Sequence, residues 1–129
     1  MQYAWKHDYE TGNETIDSQH KLIFEAANAL HEAVMRCKED EILDQSFSLL
    51  LQYTNTHFSD EEEYYRQIGS SLLTTQQVEH RDMLNELREI WHDKRIGSRD
   101  AGTDLDIWME RRLIPHIIAE DTRAQKARA

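Results

Sequence analysis

Apolar residues return every three or four positions along four stretches of the chain, the interval that gathers them on one face of an α-helix. In the first stretch, Ile16, His20, Ile23, Ala27, Leu30 and Val34 step alternately by four and three, which predicts a helix over about 17–36. In the second, Leu43, Phe47, Leu50, Thr54, His57, Glu61, Tyr64 and Ile68 keep the same alternation and predict a helix over about 41–67. The third, about 72–92, carries Leu73, Gln76, His80, Met83, Leu87 and Trp91 in register, with Leu84 beside them. The fourth, about 103–123, has a broader stripe of Leu105, Trp108, Met109, Leu113, His116 and Ile117, interrupted by Pro115. A kink or loosened turn is expected there, because proline lacks one backbone donor and its ring crowds the preceding turn. Breaks fall at Thr11-Gly12-Asn13, at Gly69-Ser70-Ser71 and from Gly97-Ser98 to Ala101-Gly102. Four such rods with short connections predict an all-α fold, an antiparallel up-down four-helix bundle with an N-terminal arm over about 1–16, and 1–129 as a single domain.

Composition narrows the choice further. With 4 glycines and 1 proline in 129 residues, the chain lacks the regular turn signals that a sandwich or barrel needs. Its formal net charge of −10 would repel a nucleic-acid backbone or an anionic bilayer, so neither is expected as a partner. No window approaches the run of about 18 apolar residues that spans a membrane, and the first ten residues do not read as an export leader. A cytoplasmic location is expected, and the one cysteine, Cys37, agrees with a reducing compartment.

The chemistry lies inside the stripes. Imidazoles, a carboxylate and an amide occupy inward positions, although an unpartnered buried polar group costs about 1–3 kcal/mol and an ionised carboxylate far more. A metal site satisfies them economically, because neutral imidazole and carboxylate are ligands for first-row metals and coordination replaces lost hydration. His57 and Glu61, four residues apart, lie about 40° apart around the helix and one turn apart along it, so both can reach one centre. His116 and Asp121, five apart, diverge by about 140° on a regular helix, which suits a bridge to a neighbouring centre. Ligand type alone leaves iron, manganese and zinc open. His7, His31 and His92 lie outside the constellation and receive no role. In the run Asp60-Glu61-Glu62-Glu63 only Glu61 enters the stripe, and the other three read as a solvated face. Tyr64, Tyr65, Trp5, Trp91 and Trp108 read as core aromatics that can also wall a dry pocket, with Ile23, Phe24, Phe58 and Leu84 as further lining.

Taken in order, Trp5, then Gly12-Asn13-Glu14-Thr15-Ile16-Asp17-Ser18-Gln19-His20, then His57-Phe58-Ser59-Asp60-Glu61-Glu62, then Glu79-His80, then His116-Ile117 with Asp121 resemble the bacterial hemerythrins over nearly the whole chain. The resemblance implies a hemerythrin-like four-helix bundle around a non-haem di-iron centre that binds dioxygen reversibly, for storage, delivery or sensing. By position, His20 and His57 would bind one iron and His80 and His116 the other. Glu61 and Asp121 would bridge the pair together with an oxo or hydroxo group. The family usually has a further histidine four residues before the His80 position, where this chain has Gln76. An amide oxygen is a poor iron ligand beside imidazole, so Gln76 is a weak or lost ligand, and Gln77 and Glu79 point about 100° away from it and from His80. One turn before His116, where the family commonly has an aromatic, stands Arg112.

Four functional readings follow. The first is the oxygen-binding protein, in which the centre binds dioxygen without turnover. The second is a di-iron enzyme acting on peroxide or nitric oxide through a second open iron position created by Gln76. A ferritin-like oxidase would need two Glu-x-x-His pairs, and only Glu89-Ile90-Trp91-His92 has that spacing. The last, a metal-free bundle serving as an interaction or signalling module, is distinguished by its iron content.

Overall fold

The computed structural model describes residues 3–36, 39–95 and 101–121, with the side chains of 39–44, 46, 94, 95, 120 and 121 left aside. Cys37, the break at Gly97-Ser98 and the expected end of the fourth helix at 123 lie outside the described residues. Among the described residues there is helix and no strand. A short arm with one 3-10 turn, His7–Tyr9, leads into α1 (Glu14–Met35), followed by α2 (Glu39–Gln67) and α3 (Leu73–Arg95). The fourth rod is composite: α4 (Ala101–Trp108), a wide π turn at Met109–Leu113, a single α turn at Ile114–His116, and a second wide turn at Ile117–Asp121. α1 packs against α2 and α4, α2 against α3, and α3 against α4, which is the four-helix bundle.

Local chemistry explains the element ends. Helix α1 starts at Glu14, three residues before the periodicity suggests, because the Asn13 side chain accepts the Ile16 amide hydrogen at 3.0 Å and caps the first turn. The loop ahead of it is tied down by Asp17, a buried carboxylate that accepts hydrogen bonds from the Thr11 amide at 2.8 Å, the Thr11 hydroxyl at 2.9 Å and the Gly12 amide at 3.3 Å. Gly12 takes φ +90° in that loop. At the end of α2, Gly69 adopts φ +65°. Its amide bonds to the Arg66 carbonyl at 3.2 Å and the Ser70 amide to the Tyr65 carbonyl at 2.9 Å, the paired bonds that end a helix with a left-handed glycine. The arm is pinned to α1 by a two-way bond: the Tyr3 amide donates to Asn28 Oδ1 at 2.7 Å, and Asn28 Nδ2 donates to the Tyr3 carbonyl at 2.8 Å.

Pro115 produces the expected loosening, in the form of wide turns on either side of it. With no amide hydrogen to bond four residues back, the proline leaves the ladder out of step. The Ile114 amide reaches back five residues to the Met109 carbonyl, and the Ile117 amide only three, to Ile114. The helix bundle closes around Ile23, Phe24, Leu30, Phe47, Leu50, Phe58, Met83, Leu87, Leu105, Leu113 and Ile117, all buried. The polar set lies among these side chains.

Candidate metal centre

His20 on α1, His57 and Glu61 on α2, Gln76 and His80 on α3, and His116 in the fourth rod are each at most 4% exposed. Burial on four separate rods therefore agrees with the stripe positions, and Gln76 shares it. The Nε2 atoms of His20 and His57 are 2.9 Å apart. They lie 3.2 Å and 3.3 Å from Glu61 Oε2. His80 Nε2 stands 3.0 Å from the other carboxylate oxygen, Oε1. Two triplets of possible ligand atoms result, His20/His57/Glu61 and Glu61/His80/His116, each drawn within 4.8 Å, and Glu61 belongs to both. Phe58 stacks flat on the His80 ring, with centroids 3.9 Å apart and planes 2° from parallel, and His116 meets His80 edge-on at 5.3 Å. The Asp121 side chain lies outside the described residues.

The far edges of two rings are held from outside. His57 Nδ1 donates to Gln19 Oε1 at 2.9 Å, and Gln19 Nε2 donates in turn to Asp60 Oδ2 at 2.8 Å. His80 Nδ1 donates to Glu62 Oε2 at 2.8 Å. With the proton kept on Nδ1, the Nε2 lone pair of each ring faces the centre, which is the tautomer that binds a metal. The expected solvated face holds for Asp60 and Glu63, both exposed, where Asp60 steadies Gln19 and Glu63 pairs with Arg66; it is corrected for Glu62, which is half-buried and orients His80. Glu62 escapes a helix-angle argument because its partner belongs to α3. The available signal was topological: α2 and α3 fold back about Gly69, so positions 62 and 80 fall at one level.

Electrostatics favours the deprotonated forms of His57 and Glu61. Burial, the largest influence on His57, lowers its proton affinity below the ordinary value, with His20 and His80 adding to the effect and Glu61 opposing it. For Glu61, burial works against the charge, but the His57 ring and contacts from His20, His57 and His80 together hold its carboxyl well below the usual range. A His57 ring that gives up its proton readily beside an ionised Glu61 is the combination that coordination requires. Two buried oxygens, Thr54 Oγ1 and Gln76 Oε1, have no hydrogen-bond partner among the described residues. Convergent imidazoles and a shared carboxylate, with the unpartnered Gln76 oxygen on the residue one turn before His80, fit one or two cations of the first transition row. His7 is at the surface, His92 is exposed, and His31 bonds to Asp106 at 2.9 Å between α1 and α4, so none of the three joins the cluster. Tyr65 and Trp108 are buried while Tyr64, Trp5 and Trp91 are half-buried, and Leu84 is half-buried against the core.

A clamp beside His116 joins α3 to the fourth rod. Glu86 accepts from Trp108 Nε1 at 3.0 Å and from Arg112 at 2.9 Å and 3.2 Å. The Arg112 hydrogen bonds lower the Glu86 carboxyl below its ordinary value. Arg112 thus spends its charge on a helix-to-helix contact.

A family model described as the hemerythrin HHE cation binding domain matches residues 11–123. A bacteriohemerythrin from Clostridium acetobutylicum is 33% identical over 101 residues, covering 71% of this chain and 78% of its own length. A bacteriohemerythrin from Pseudomonas aeruginosa strain PAO1 is 30% identical over 118 residues, 92% of this chain and 76% of its own. One from Campylobacter jejuni is 28% identical over 114 residues, 88% and 86% respectively. No solved structure matches the chain significantly.

Proposed function

The chain belongs to the hemerythrin family, and from that premise we propose that it holds two iron ions between its four rods and binds dioxygen reversibly there. His20 and His57 would hold one ion and His80 and His116 the other. Glu61 would bridge them through its two oxygens, and Asp121, with an oxo or hydroxo group, would complete the bridge. The redox chemistry of reversible dioxygen binding would be supplied by a ferrous pair held by these residues. Every other task falls to the protein.

The observation that carries this reading is the placement of Glu61, fully buried, with one oxygen toward His20 and His57 and the other toward His80. Gln19 and Glu62 keep the Nδ1 protons of His57 and His80 in place, so both rings stay aimed inward. Phe58 covers the His80 ring, and Ile23, Phe24, Leu113 and Ile117 keep the surroundings apolar and exclude water. The wide turn Ile117–Asp121 supports the role given to Asp121. In an i→i+5 turn, residues five apart come back toward the same side, whereas a regular helix would spread positions 116 and 121. The lone Cys37 agrees with work in the cytoplasm.

The test is an elemental assay together with an absorption spectrum of the reduced protein before and after air. Two irons per chain and an oxygen-dependent visible band that disappears when oxygen is removed are expected. Fewer than two irons, or a band that never reverses, refutes the proposal.

A further inference from the structure

We propose that the Gln76 side of the centre has a second, exchangeable ligand position that takes a small monodentate anion, entering through a cleft between α3 and the fourth rod. The inference rests on the di-iron reading above and extends it. Gln76 lies on α3 one turn before His80, is 1% exposed, and its Oε1 has no hydrogen-bond partner among the described residues. A buried amide oxygen in that state costs about 1–3 kcal/mol unless something positive meets it. A cation held by His80 and His116 is the available partner, but a neutral amide oxygen is a weak donor beside imidazole or an anion. The contact therefore satisfies the amide without fixing it to the metal, and a better donor displaces it.

The second observation is the route. A cleft of about 230 Å³ is lined by Glu79, Arg111, Arg112, Pro115, His116 and Ala119. One of these, His116, is buried and belongs to the second triplet of possible ligands. Two arginines and one glutamate line the cleft, although the chain as a whole carries a net charge of −10. Arg112 is engaged by Glu86 and lies 3.5 Å from Glu79. Arg111 is exposed and forms no ion pair with another described side chain. A cation at the mouth of a short path toward a metal draws small anions inward. The step is ligand exchange alone: the anion donates a lone pair, the amide oxygen leaves, and no electron moves.

The experiment is an azide titration of the oxidised, iron-loaded protein, followed by absorption and calorimetry. Two azides per two irons are expected for the parent protein. Gln76→His should remove the second, and Gln76→Glu, which fills the same position with a carboxylate, should do so too. Arg111→Glu should slow the second association severalfold and leave the first unchanged. One azide per two irons in the parent, or a second that persists in both Gln76 variants, overturns the inference while the di-iron reading stands. Fewer than two irons per chain overturns both. Azide uptake by the iron-free protein would make the cleft a surface anion site and also refute the ligand position.

Discussion

Glu62→Gln removes one negative charge beside the centre and almost nothing else. The glutamine oxygen still accepts the Nδ1 proton of His80, so the ring keeps its tautomer, but the carboxylate no longer makes the imidazole a stronger donor. The pair is separated by 2.8 Å, with His80 1% and Glu62 23% exposed. Losing an outer partner of this kind lowers metal affinity about 10- to 100-fold. Partial exposure of Glu62 weakens the field it exerts, which points to the lower end, about tenfold or about 1.4 kcal/mol. The loss should fall on one ion only, since His80 meets Glu61 through Oε1 while His20 and His57 meet Oε2. The assay is metal retention by the loaded protein against increasing chelator. One ion of the two should leave at about a tenfold lower chelator concentration, and the melting temperature of the metal-free protein should not move. Gln19→Leu, on the His57 side, should weaken the other ion instead. Simultaneous loss of both ions at the parent concentration, or an equal fall in the melting temperature of metal-free and loaded protein, would refute the orienting role of Glu62.

The other predictions concern the centre and its packing. Glu61→Ala should leave less than one iron per chain and bring the melting temperature of the iron-treated protein down to that of the metal-free protein, because ligand binding no longer favours the folded state; unchanged iron content on elemental analysis would refute the bridge. Phe58→Ala removes a ring that is 1% exposed and stacked on His80, and should cost about 3–5 kcal/mol in urea unfolding; a loss below about 1 kcal/mol would contradict that packing. Metal-free protein should lose stability on acidification. Folded His57 binds its proton less readily than the unfolded residue, whose ordinary value is 6.5, so the unfolded chain takes up more protons as pH falls and stability drops below about pH 6.5. Glu61 adds in the same direction at lower pH, since its folded carboxyl lies well below its ordinary 4.5; equal urea midpoints at pH 7.5 and pH 5.5 would refute the His57 effect, and equal midpoints at pH 5.5 and pH 3.5 the Glu61 effect.

Much of this site was legible from helix periodicity. That His20, His57, Glu61, Gln76 and His80 face inward follows from steps of three and four, because the angle between residues on one helix is set by the backbone alone. The same local rule identified a stop at Gly69 and a disturbance at Pro115. It could not give the form of that disturbance, since a wide turn, a kink and a break all relieve the missing amide bond, and the packing of Leu113 and Ile117 into the core helps to choose among them. Glu62 was misassigned to solvent for a related reason. Its angle on α2 points away from the stripe, and only the level at which α3 lies beside it brings His80 within 2.8 Å. Which oxygen of Glu61 meets which imidazoles depends likewise on how far each rod has slid along its neighbours. Sequence period determines direction around one axis; the height of one axis against another is decided by side chains interlocking across the bundle, and a metal centre needs both.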